Sequence, residues 1–149
     1  MAVSAKIKRL VGKAMPATEY QVEAGTVRRL ARAIGEDNPI HIDSDVAKAA
    51  GYPALVGTLT LPSAFMDLQP LLAEMDLEPQ GVMHAEEEQE YFRPICVGDT
   101  LSVAHRLLDA YDKPSAGGRL IFLVFETRAH DSRGRDVFKT RRVLVALKS

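Results

Sequence analysis

From residue 82 onward the chain divides into four β-type runs, 82–92, 100–110, 118–130 and 137–147, and this half limits what the other half can be. The separators are Arg-Pro-Ile-Cys-Val-Gly-Asp at 93–99, Lys-Pro-Ser-Ala-Gly at 113–117 and Asp-Ser-Arg-Gly-Arg at 131–135. Each is rich in the Gly, Pro, Asp and Ser that tight antiparallel connections use. Within 118–130, Leu120, Phe122, Val124 and Glu126 share one face, and Ile121, Leu123, Phe125 and Thr127 share the other. Both faces are largely apolar, so this strand is expected at the centre of a sheet, covered on both sides.

The first half must supply that cover. A brief strand is expected at 20–23, where apolar and polar residues alternate. From Thr26, a possible N-cap, the residues Val27, Leu30, Ala31, Ala33 and Ile34 recur at helical spacing, with Arg28, Arg29 and Arg32 outside; Gly35 ends the run. Asp43 or Ser44 can cap a short helix through Val46, Ala47, Ala49 and Ala50, closed by Gly51 and kept closed by Pro53. A more apolar helix is predicted from about Pro62, through Ala64, Phe65, Met66, Leu68, Leu71 and Leu72. It should be central and buried, with Pro70 kinking or restarting it. Helices followed by long antiparallel strands define an α+β fold with helices on one face. At 149 residues, with no linker or repeat, one domain over 1–149 is expected.

Charge narrows the partners. Nineteen Lys and Arg against twenty Asp and Glu leave a net charge of −1, which argues for neither nucleic acid nor an anionic membrane. No apolar run reaches the length of a membrane span. The basic start, Lys6, Lys8, Arg9 and Lys13, lacks the apolar segment of a secretory signal and reads as a solvated arm or short helix. The lone Cys96 excludes an internal disulfide and fits a reducing, cytoplasmic setting. His84, His105 and His130 have no metal-ligand spacing, so neither a metal nor another cofactor is expected.

The densest chemistry lies at 36–43, Glu-Asp-Asn-Pro-Ile-His-Ile-Asp, which places three carboxylates, an amide and an imidazole within eight residues. Asn38 precedes a proline and is held out of the helical region, so the preceding helix stops and the polar groups ride on a stiff turn. A general base must be both titratable and positioned, and this stretch offers both. The same residues would also serve as an Asx-rich turn capping one helix and opening the next.

The order Ala33-Ile34-Gly35-Glu36-Asp37-Asn38-Pro39-Ile40-His41-Ile42-Asp43, then Ala49-Ala50-Gly51-Tyr52, then Leu55-Val56-Gly57-Thr58-Leu59-Thr60 resembles the hydratase motif of the MaoC-like (R)-specific enoyl-CoA hydratases and 3-hydroxyacyl dehydratases. Tyr91-Phe92-Arg93-Pro94-Ile95 and Val97-Gly98-Asp99-Thr100-Leu101 are similar to a later strand-turn-strand of that family, and Thr60 and Pro62 to its fatty-acid-synthase-like dehydratase N-terminal branch. The resemblance implies a hotdog fold, a sheet wrapped around a central helix. It implies hydration of trans-2-enoyl thioesters of coenzyme A or acyl carrier protein, or the reverse dehydration.

Carried over by position, the catalytic pair is Glu36 and His41, with Glu36 standing where the family has Asp. The extra methylene keeps acid-base chemistry but moves the carboxylate by about 1 Å, a displacement that can cost about a hundredfold in rate. Where the family resembles Val-His-Gly-Met this chain has Val56-Gly57-Thr58-Leu59, so the amide facing the thioester oxygen belongs to Thr58, or to Gly57 if the register slips by one. Asn38 is expected to orient the loop and Ser63 to stand on the substrate side or bond local backbone. The N-terminus of the central helix would favour an enolate oxygen. Arg93, Arg119, Arg141 and Arg142 are candidates for coenzyme A phosphates. The family's side-by-side pairing implies a homodimer, with a heteromer containing another hotdog subunit as the alternative. Two other functions stand beside hydration: a non-catalytic subunit that binds acyl thioester next to a competent chain, and thioester hydrolysis.

Overall fold

The computed structural model describes residues 3–148. One antiparallel sheet runs in the order β1–β3–β4–β5–β2, with β1 Thr18–Gln21, β2 Val82–Tyr91, β3 Thr100–Ser115, β4 Gly118–His130 and β5 Asp136–Lys148. β4 occupies the predicted 118–130 and is central; Ile121, Leu123, Phe125 and Thr127 are buried on its inner face, but Leu120, Phe122 and Glu126 on the other face stay partly exposed, so the cover expected on both sides is complete on one. β1 falls two residues before the predicted 20–23. β3 outruns its predicted end at 110 and continues through Pro114, so Ser115 pairs with Gly118 across a two-residue turn. Proline is tolerated there because β1 pairs with β3 only over residues 100–103, leaving the outer edge of β3 at Pro114 without a ladder neighbour.

The basic N-terminus forms α1, Ala5–Leu10, capped by the Ser4 hydroxyl, which accepts from the Ile7 N–H at 3.3 Å. It is docked rather than solvated: Val3 and Ile7 join Leu71, Leu72, Met75, Leu107 and Phe125 in one apolar cluster. α2 spans Ala24–Ala33, starting two residues before the predicted Thr26, and α3 spans Ser44–Ala49 with the Asp43 carboxylate capping Asp45 and Val46.

The predicted central helix is broken. Leu61–Phe65 is a 3-10 turn, Met66 leaves the helical region at φ −105° and ψ 76°, and a new helix, α4, covers Gln69–Glu74. Asp67 accepts from the Gln69 N–H at 3.1 Å, and Pro70 follows in the first turn of α4, so this local chemistry opens a second helix instead of prolonging the first. The sheet beneath gives the deeper reason. In strand register, His105, Thr127, Thr140 and Gln89 form one row across the inner face, and Leu107, Phe125, Arg142 and Glu87 form the next. Leu61 and Phe65 pack on the cluster with Leu101, Val103 and Phe138 on one side of this polar band, and Leu68, Leu71 and Leu72 pack with Leu107 and Phe125 on the other. A continuous apolar helix would have to lie over His105 and Arg142, where buried polar groups need partners. His105 finds one in Thr127, 2.8 Å from its Nδ1, and burial pushes its pKa down, Asp67 opposing and Arg142 assisting.

Candidate active site

α2 and α3 end alike. Gly35, at φ +71°, lets the Glu36 N–H reach the Ala31 carbonyl at 2.9 Å and the Gly35 N–H reach Arg32 at 3.3 Å. Gly51, at φ +95°, lets the Tyr52 N–H reach Ala47 and the Gly51 N–H reach Lys48, each at 3.0 Å. Both are Schellman motifs, and in both the residue just past the glycine, Glu36 or Tyr52, lines the same cavity of about 710 Å³.

Between these helices Asn38 accepts from the Ile40 N–H at 3.2 Å and starts a 3-10 turn, Pro39–His41. The turn buries His41, whose Nδ1 lies 2.7 Å from the Val56 carbonyl. A carbonyl only accepts, so Nδ1 carries the hydrogen and Nε2 of the neutral ring is left as the base. Val56 returns the contact through its N–H to Ile40 at 3.1 Å. On its other side the 55–57 segment pairs with the 93–99 loop: Gly57 donates to Ile95 at 2.7 Å and Val97 donates to Leu55 at 2.9 Å. A Cβ at Gly57 would stand 2.3 Å from Leu61 Cδ2, so a larger residue there would have to displace the buried Leu61 side chain, while the Ile95 carbonyl oxygen at 3.4 Å would be in ordinary contact.

The Gly57 N–H is thus occupied, whereas the Thr58 N–H has no acceptor among the described residues. Glu36, Asn38, His41, Gly57 and Thr58 all line the cavity, and the Glu36 carboxylate accepts from the Asn38 N–H at 3.0 Å. Ser63 does not line it: its N–H donates to Thr60 and its hydroxyl accepts from Arg142 at 3.2 Å. The helix N-terminus expected to favour an enolate is here a five-residue 3-10 turn, too short to carry that dipole. Tyr52, Tyr91 and Phe92 also line the cavity. Sequence reasoning passed over Tyr91, although the two-residue period of its strand sets it on the inner face with Glu87 and Gln89.

The four arginines considered for phosphate all meet carboxylates of this chain: Arg93 with Asp99 and Asp131, Arg119 with Asp112, Arg141 with Glu86, and Arg142 with Glu87. Arg93 alone of these lines the cavity. Its partner Asp131 accepts from the N–H groups of Arg135 and Arg133 and from the Arg135 guanidinium, contacts that lower its pKa to about 2. A depressed carboxylate stabilises the fold above its unfolded pKa, and that contribution disappears as pH falls from 3.8 toward 2. Asp131→Asn should therefore melt below wild type at pH 7, with the gap closing by about pH 2. Identical melting curves at pH 7 would remove this role.

The geometry is that of a hotdog sheet with a hydratase-type loop at one end. Residues 9–140 match the family described as "FAS1-like, dehydratase domain region", and the chain belongs to it. A UPF0336 protein of Streptomyces avermitilis is 31% identical over 143 residues, covering 91% of each chain. Another, from Clavibacter michiganensis, is 38% identical over 98 residues, 62% of this chain and 66% of that one. Among solved structures, a MaoC-like dehydratase superposes with TM-score 0.83 at 24% identity, covering 96% of this chain and 44% of that chain, which is therefore more than twice as long as the matched part. The ChsH1-ChsH2 complex of Mycobacterium tuberculosis matches with TM-score 0.76 at 21% identity over 96% and 94% of the two chains. Among the described residues no helix is long and apolar enough to cross a membrane.

Proposed function

We propose that the chain hydrates trans-2-enoyl thioesters, of coenzyme A or acyl carrier protein, to (R)-3-hydroxyacyl thioesters, or catalyses the reverse dehydration. The observation that carries this is the His41 ring: its Nδ1–H is spent on Val56, so its basic nitrogen remains for a substrate in the cavity that holds Glu36 and the unpaired Thr58 N–H. In the forward direction Glu36 and His41 hold a water and take its proton as the oxygen adds to the β-carbon. The Thr58 N–H receives the charge that grows on the thioester oxygen. The pair then gives the proton it took to the α-carbon, which completes the addition and restores both groups, and Asn38 keeps the turn in place.

Loss of enoyl absorbance with crotonyl and longer acyl-CoAs tests this. Glu36→Gln should lower kcat about a hundredfold. Glu36→Asp, which restores the family's acid, should retain activity. A Gln variant as fast as wild type would remove Glu36 from the mechanism.

A second reading has its own support: one Glu36 oxygen is already engaged by the Asn38 N–H, and two matching structures, ChsH1-ChsH2 and the HadBC 3R-hydroxyacyl-ACP dehydratase, are complexes of two different chains. On that reading the chain binds acyl thioester beside a competent hotdog subunit. Pure protein would then show no hydration until such a subunit is added. In either case dimerisation is expected along β2, an edge strand that ends beside the cavity, where Phe92 is 48% exposed.

A further inference from the structure

The segment that follows Thr58 is held by polar contacts at both ends. Leu59 has a side chain 75% exposed, so packing does not anchor it; its carbonyl accepts from the Tyr91 hydroxyl. Four residues later the Ser63 hydroxyl accepts from Arg142 at 3.2 Å. Between the anchors, Leu61 donates to the Thr58 carbonyl and Ser63 to the Thr60 carbonyl.

The two anchors come from rows of the inner face on either side of Gln89. The single Tyr91 hydroxyl hydrogen goes to Leu59, so its oxygen only approaches Gln89 Oε1 at 3.2 Å; Gln89 Nε2 donates to Glu87 Oε1 at 2.7 Å, and Glu87 Oε2 accepts from Arg142 at 2.8 Å. Residues 87, 89 and 91 follow the two-residue period of β2, which brings all three to the inner face, and Glu87 stands directly opposite Arg142 on β5. The Glu87 and Arg142 side chains are only 15% and 14% exposed, in a row whose other members are Leu107 and Phe125. Burying two charges costs more than their attraction returns unless the geometry is well satisfied, and apolar side chains would fill the same space at no such cost. What the ion pair adds is direction. Burial and the nearby Glu87 charge push the Tyr91 pKa up, so its hydroxyl keeps the proton it donates to Leu59.

We infer that Tyr91, through Leu59, and Arg142, held by Glu87 and reaching Ser63, are positioning residues that clamp residues 59–63 and so fix where the Thr58 N–H points, a role that rests on the hydration reading proposed above. Neither Glu87 nor Arg142 lines the cavity. A donor displaced by a fraction of an ångström from the thioester oxygen loses its effect on the transition state while leaving substrate binding nearly as it was.

The test compares Tyr91→Phe, Arg142→Met and Arg142→Lys with wild type in kcat, KM, melting temperature and hydrogen exchange of the amides at 60–63. Tyr91→Phe and Arg142→Met should lower kcat at least about tenfold with KM within about twofold, and exchange at Leu61 and Ser63 should quicken. Arg142→Lys, which keeps the charge, should recover part of kcat. A lower melting temperature with unchanged kcat in the folded fraction would make the network merely structural and overturn the inference, as would quicker exchange with wild-type kcat. Should wild type fail to hydrate both alone and with a second hotdog chain, the proposed reaction falls. Exchange then decides the clamp by itself, and unaltered protection in all three variants defeats it.

Discussion

Replacing His41 with alanine should reduce kcat for enoyl-thioester hydration by about 10²–10⁴, the range that a positioned general base contributes. The size of the effect follows from how the ring is held. His41 is 8% exposed, its Nδ1–H is fixed on the Val56 carbonyl, and Val56 is itself tied to Ile40 and to the 93–99 loop, so the ring is held in one orientation. KM should move little, because the cavity walls contributed by Ile34, Tyr52, Phe92 and Ile95 remain. His41→Gln is a useful companion, since an amide can donate to Val56 yet has no basic nitrogen. If hydration requires the base, the glutamine variant should be as inactive as the alanine one while melting closer to wild type. Wild-type turnover in either variant would refute a role for His41 in proton transfer.

Phe125→Ala should be the most damaging single truncation to the fold. Phe125 is 1% exposed at the centre of β4 and packs in the cluster with Leu71, Leu72, Met75 and Leu107. Emptying such a site costs about 3–5 kcal/mol. For a chain of this size each kcal/mol moves the melting temperature by roughly 2–4 °C, so a fall of about 10 °C is expected by circular dichroism. Phe125 is also the residue opposite Arg142 in the sheet, so the space left would open beside the Glu87–Arg142 pair. Truncating Phe125 in an Arg142→Met background should therefore cost less than the sum of the two changes, as residues that share an environment do not add. A fall of under about 2 °C for the single variant would contradict the packing described for β4.

The strands and the turn at 36–43 were readable from the chain because their causes are local. Residues 118–130 alternate over two apolar faces, and Asn38-Pro39 stops a helix wherever it stands. Glu36, Asn38, His41, Gly57 and Thr58 were named from a linear motif, and the fold brings them to one cavity. The engagement of the Gly57 N–H was not local. It depends on Ile95, nearly forty positions away, whose carbonyl accepts it. Of the central helix, the restart at Pro70 was legible and forms as α4, but the 3-10 turn and the break at Met66 before it were not, for a similar reason. Its own residues are apolar enough to continue, but the surface it must cover includes His105, Thr127, Thr140 and Gln89, which become one row only when the register of four strands is set. Residues 86–90 are nearly all acidic, and only the strand's alternation sorts them. Alternation sends Glu87 inward to Arg142, while Glu86 and Glu90 pair with Arg141 and Lys139 on the outer face.

The paired glycine caps at Gly35 and Gly51 have a consequence for how this cavity can change over time. Each places a rim residue, Glu36 or Tyr52, by backbone hydrogen bonds, to which only the Glu36 carboxylate adds a side-chain contact from the Asn38 N–H, so the identity of the residue contributes little to holding the rim in place. Mutational tolerance at the two positions should be high for folding and low for function. The glycines should show the reverse, since a side chain at φ +71° or +95° strains the cap itself. A lineage can therefore exchange an aspartate for a glutamate at the rim, or trade the tyrosine for another shape, without rebuilding the loops behind it. That freedom lets the rim of the cavity change its chemistry while the architecture behind it stays put.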